Sequence, residues 1–200
     1  MGLSFHYNGR FSGNASLPDM IEEVKDIAET RKWPYNIFET EFDGEFIPGK
    51  VHDGKIYGIS FTPPECETVS ICFLSNGRMS CPVNLKFYGD SKDETEQEYL
   101  YMQSVKTQFA GEEIHKFLIE LFRYLQKQGY FETLNITDEG QYWETGDEKL
   151  LHKIFKRYTH LLDSFKFAVD TVPKDKGETW EDYFGRLMGM IKNKDKNNGQ

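Results

Sequence analysis

The sequence predicts an α+β fold: a mainly antiparallel sheet of about six to seven strands with three to four helices packed against it. Three observations carry this expectation. Residues 35–109 break into short runs rich in β-branched and aromatic side chains, separated by turn residues. Short connections between consecutive strands favour antiparallel pairing, because a parallel crossover needs a dozen or more residues. Outside that region apolar residues recur at helical spacing, the mark of amphipathic helices.

Each element has a local reason. Leu3 to Asn8 alternates as a strand and meets a turn at Asn8-Gly9. Ser16-Leu17-Pro18-Asp19 opens a helix, with Ser16 as cap, Pro18 in the first turn and Asp19 closing a capping box. Met20, Ile21, Val24, Ile27 and Ala28 give that helix one apolar face, and Trp33-Pro34 ends it. Strands are expected at Tyr35 to Phe42, Lys55 to Phe61, Thr68 to Leu74, Val83 to Tyr88 and Tyr99 to Phe109. Asp43-Gly44, Asp53-Gly54, Pro63-Pro64, Ser75-Asn76-Gly77 and Gly89-Asp90 supply the turns between them. Residues 90–98 hold five acids against one lysine and read as a solvated loop.

A helix from about Gly111 to Gln128 follows, with Ile114, Phe117, Leu118, Leu121, Phe122 and Leu125 on one face and Gly129 at its stop. Next come a strand from Tyr130 to Ile136 and an irregular loop from Thr137 to Gly146. The capping box Thr145-Gly146-Asp147-Glu148 then starts a helix that buries Leu151, Phe155 and Leu162. Thr179-Trp180-Glu181-Asp182 caps a last helix through about Ile191, and Lys192 to Gln200 reads as a frayed polar tail. Nothing in the composition splits residues 1–191, so one domain is expected.

Composition narrows the function. The 200 residues carry a net charge of −9, which opposes the coating of nucleic acid, where surplus Lys and Arg must neutralise phosphate. The first 100 residues hold 9 basic and 17 acidic groups, so the acidity lies in the strand-rich half. No apolar run is long enough to span a membrane, and the first ten residues have no signal-peptide pattern. Cys66, Cys72 and Cys81 are odd in number and lack Cys-x-x-Cys spacing, so they read as free thiols in strands. A cytoplasmic location is therefore expected, and the sequons at Asn14 and Asn135 carry no weight.

Two segments hold candidate site residues. The first, Asp138 to Asp147, gathers acids with Tyr142 and Trp143 in a glycine-punctuated loop between a strand and a helix start. Asp138, Glu139 and Glu144 suit acid–base chemistry or a hard cation, and the two rings suit stacking on a planar ligand. Capping and sheet coverage explain the same residues structurally. The second, Lys106 to His115, joins a strand to a helix and offers Lys106, Gln108 and His115 as ligand contacts. Glu112 and Glu113 in the first helical turn oppose an anion there, and His115 on the flank of an apolar face equally suits packing. No phosphate-binding loop, dinucleotide fingerprint, nucleophile elbow or zinc-protease spacing is present. A basic stripe of Lys149, Lys153, Lys156 and Arg157 with His152 and His160 leaves an acidic partner or a second copy open.

These two segments, together with Tyr57-Gly-Ile-Ser-Phe61, resemble an uncharacterised group of bacterial cytosolic proteins over most of the chain. The resemblance implies a bacterial origin and no activity. Two function classes remain. The first is a non-catalytic binding protein that recognises a protein or small ligand through an acidic, aromatic-rich surface, with no cofactor or metal and with a homodimer open. The second is a hydrolase-like enzyme in which Asp138, Glu139 or Glu144 acts with His115, with a divalent metal as an option.

Overall fold

A computed structural model describes residues 2–42 and 52–197. The expected turn at Asp43-Gly44 lies outside the described residues. The chain divides into two compact units, Met1–Leu151 and His152–Gln200.

The first unit is mixed α and β, as expected, but its strands form two sheets and not one. Sheet A has the order β5-β1-β6, where β1 is Ser4–Phe11, β5 is Gln103–Lys106 and β6 is Phe131–Asp138. Sheet B has the order β2-β3-β4, with β2 Tyr35–Ile37, β3 Tyr57–Phe61 and β4 Val69–Phe73. Every pairing within the two sheets is antiparallel. The split arises because β1 takes its partners from the far half of the chain, Phe5 opposite Val105 and Asp138, and leaves the sequential strands to pair among themselves. Local turn signals cannot reveal such long-range pairing.

The Ser75-Asn76-Gly77 turn fastens the two sheets to each other. Phe11 N donates to Gly77 O at 2.8 Å, and Met79 N donates to Gly9 O at 2.9 Å. The Tyr7 hydroxyl adds a second clasp: it donates to Ser70 O at 2.9 Å and accepts from Ser70 N at 3.1 Å. Burial pushes the Tyr7 phenol far up from its ordinary value, so it stays protonated and able to donate.

Seven helices occur among the described residues, against three to four expected. Helix α1, Leu17–Thr30, has Ser16 as its cap, accepting from Asp19 N at 3.3 Å, and buries Met20, Ile21, Val24 and Ala28. Two additions correct the sequence expectations. The run expected as a strand at Val83 to Tyr88 is helix α2, Pro82–Tyr88. Cys81 caps it through Sγ and Pro82 sits in its first turn, a helix-start pattern that outweighs the β propensity of Val83 and Phe87. The acidic run expected as loop contains α3, Glu94–Tyr99, where the Asp93 carboxylate accepts from Thr95 N and Glu96 N and acids favour the first turn. The two helices cover one end of sheet B over a cluster of Ile56, Cys72, Leu74 and Leu100, joined by Phe38, Leu85 and Tyr88.

Helix α4, Glu112–Lys127, buries His115, Leu118, Ile119, Leu121, Phe122 and Leu125. Gly111 at φ 89° begins it in a conformation that other residues rarely adopt. Strand β6 runs two residues beyond expectation, to Asp138, and the loop after it winds into a short α5, Tyr142–Thr145. Asp147 opens α6, Glu148–Thr171, by accepting from Lys149 N and Leu150 N.

In the second unit α6 pairs with α7, Trp180–Asn197, over Ala168, Tyr183, Leu187 and Ile191. The expected cap is present: Asp182 N donates to Thr179 Oγ1 at 3.1 Å, and the Thr179 hydroxyl donates to Asp182 Oδ2 at 2.7 Å. Helix α7 continues past Ile191, through part of the expected tail, and residues 198–200 lie outside the described ones.

Candidate functional site

The structure brings the two candidate segments together. His115, on the first turns of α4, places Nε2 3.0 Å from Asp138 Oδ1 at the end of β6. On the other side of the ring, Thr107 Oγ1 lies 2.7 Å from Nδ1. The imidazole thus sits between a hydroxyl at Nδ1 and a carboxylate at Nε2. Thr107 and His115 are 0% exposed and Asp138 is 4% exposed.

Asp138 is the hub. Its Oδ1 also accepts from Gly140 N at 2.7 Å, and its Oδ2 accepts from Tyr142 N at 2.8 Å and Trp143 N at 3.0 Å. Burial raises the pKa of this carboxyl, but the His115 ring and the backbone amides outweigh it and hold the group below the ordinary carboxylate value. Gly140 permits the approach: a Cβ there would stand 2.7 Å from His115 Nε2 and 2.8 Å from Leu151 Cδ1.

The other loop residues are engaged in the same way. Glu139 accepts from Ser4 N at 2.7 Å, and Glu144 accepts from Asp138 N at 3.1 Å. The Tyr142 hydroxyl donates to Glu120 at 2.9 Å, and burial with that carboxylate raises its phenol. Arg123 lies 5.1 Å from the Tyr142 ring centroid and 5.7 Å from that of Trp143, and it donates to both main-chain carbonyls. In the second segment, Lys106 N donates to Glu67 at 2.8 Å, and Gln108 Oε1 accepts from Leu3 N at 3.2 Å. All eight candidate residues thus have at least one partner inside the fold, while Gln108 Nε2 has no hydrogen-bond partner among the described residues. Among the described residues no three His, Cys, Asp or Glu side chains group as a metal site.

Two of the cysteines, Cys66 and Cys72, offer no nucleophile at neutral pH. Burial pushes the Cys66 thiol up to about 12 and the Cys72 thiol well above its ordinary value. Of the three, only Cys72 lies in a strand.

Sequence inspection missed a second polar constellation in the first unit. The register of sheet B sets Asn36 opposite Ser60 and Ser60 opposite Ser70, so three polar side chains cross one sheet face in a row. They line a cleft of about 760 Å³, together with the start of α2, with Met102 and with Gln103 and Ser104 of sheet A. None of the three side chains is engaged by another described residue. Gln103 is 5% exposed, and its Nε2 has no hydrogen-bond partner among the described residues. Apolar groups rim the opening, with Met102 55% and Val83 61% exposed. The only sequence signal is the polar interruption of two apolar strands at Ser60 and Ser70, which means nothing until the register aligns them.

No protein-family model, curated protein or solved structure matches this chain. Among the described residues, no helix is long and apolar enough to cross a membrane.

Proposed function

We propose that this chain is a non-catalytic binding protein that takes a small ligand in the cleft of its first unit. The observation that supports it is the Asn36–Ser60–Ser70 row, uncommitted among the described residues and set in a concave surface beside exposed Met102 and Val83. Ligand sites combine apolar walls, which supply contact area, with a few fixed polar groups, which orient the ligand. The acidic, aromatic loop at 138–147 serves this function indirectly, by holding β6, α4 and α5 together.

The enzymatic alternative has one observation in its favour. Thr107, His115 and Asp138 follow one another as hydroxyl, imidazole and carboxylate, the order used in acyl transfer. A nucleophile must also reach its substrate, and the Thr107 hydroxyl is closed off from solvent. Binding at the cleft requires no such opening, and it is the better supported function.

Crystals of the full chain soaked with a library of small polar fragments provide the test. Binding in the cleft predicts fragment density against Asn36, Ser60 and Ser70. Fragments that collect elsewhere and leave the cleft empty would overturn the proposal.

A further inference from the structure

We infer that the cleft selects an uncharged, polyhydroxylated ligand of saccharide type and that Gln103 is its anchor. The inference rests on the binding function proposed above and adds the ligand class.

A buried amide donor without a partner is costly to the free protein, because its hydration is lost and nothing replaces it. Gln103 Nε2 is such a donor, on a residue that lines the cleft. A ligand oxygen that accepts from it recovers the lost hydrogen bond, so the ligand carries acceptors. The Asn36, Ser60 and Ser70 side chains each donate and accept, and so does an alcohol group. A row of such groups complements a row of hydroxyls, whatever the direction of each individual bond.

Charge narrows the class. Among the described residues no Lys, Arg or His side chain lines the cleft, and the one carboxylate that does, Glu67, accepts from Lys106 N. A phosphate or carboxylate ligand would lose its hydration without gaining a countercharge, which strongly disfavours anions. Phe38, Pro82 and Val83 supply apolar surface for the C–H face of a sugar ring. Phosphorylated or acidic sugars should be rejected.

Calorimetric titration of the full chain with maltose and cellobiose, against glucuronate and glucose 6-phosphate, tests the selectivity. The neutral disaccharides should bind at least tenfold more tightly than either anion. Gln103→Met, which keeps the volume and removes the donor, should weaken them at least tenfold. Asn36→Ala, an exposed change that leaves the core alone, should weaken them severalfold. Equal or tighter binding of the anions overturns the ligand class, as does failure of both disaccharides to bind. Unchanged disaccharide affinity in Gln103→Met overturns the anchor. If fragments occupy the cleft in soaked crystals while the disaccharides fail, the saccharide inference falls and the binding function stands. An empty cleft removes both.

Discussion

The loop at 138–147 and the cleft across sheet B are both polar surfaces with aromatic or apolar neighbours, yet they differ in how their hydrogen bonds are used. In the loop the Asp138 carboxylate takes one imidazole and three backbone amides, and Glu139, Tyr142 and Glu144 have partners as well. In the cleft the Asn36, Ser60 and Ser70 side chains and Gln103 Nε2 are left uncommitted among the described residues. A fully satisfied network rigidifies a fold, whereas uncommitted groups in a concavity keep their capacity for a ligand. Polar density alone does not mark a site; unused bonding capacity does.

The sharpest way to break this contrast is to remove the hub. Asp138→Ala should cost about 3–5 kcal/mol in chemical denaturation, because it leaves a buried imidazole and three amides without their acceptor. A cost below about 1 kcal/mol would show that the network contributes little to stability. Gly140→Ala should cost about 1–3 kcal/mol by forcing a methyl group against His115 and Leu151. The same measurement checks it.

Acid should weaken the loop through Asp138. The Asp138 pKa is depressed in the folded chain, so its contribution is present above the unfolded value near 3.8 and is lost as pH falls through the lower folded value. The melting temperature of wild type should therefore fall below about pH 4 more steeply than that of Asp138→Ala. Parallel curves would contradict the assignment. A smaller effect is expected for Tyr142→Phe, about 1 kcal/mol, from the lost bond to Glu120. Smallest of all, Gln103→Met should change stability by no more than about 0.5 kcal/mol, or raise it, since the lost Nε2 donor has no partner among the described residues. A cost above 2 kcal/mol would mean that the cleft amide is structural after all.

Much of the fold was legible because its signals are local. Ser16, Gly129 and Thr179 each cap a helix where their spacing requires, and β3 and β4, joined by a short connection, pair antiparallel. Helix α2 was missed because Val83 and Phe87 favour strands, while the Cys81-Pro82 start, a local signal too, was overlooked. The partition into two sheets rests on β1 meeting β5 and β6 across about a hundred residues, which no window of sequence contains. At the candidate site, the meeting of His115 with Asp138 was expected as an option and is present. The cleft was illegible, because Asn36, Ser60 and Ser70 are scattered in sequence and become neighbours only through register.

One titration compares the two regions directly. In an amide-correlation NMR experiment on the full chain, the Gln103 side-chain amide reports on the cleft and the Trp143 indole N–H reports on the loop. As maltose is added, binding at the cleft predicts a saturable shift of the Gln103 amide while the Trp143 indole stays in place. A saturable shift of the Trp143 indole with the Gln103 amide unmoved would contradict it.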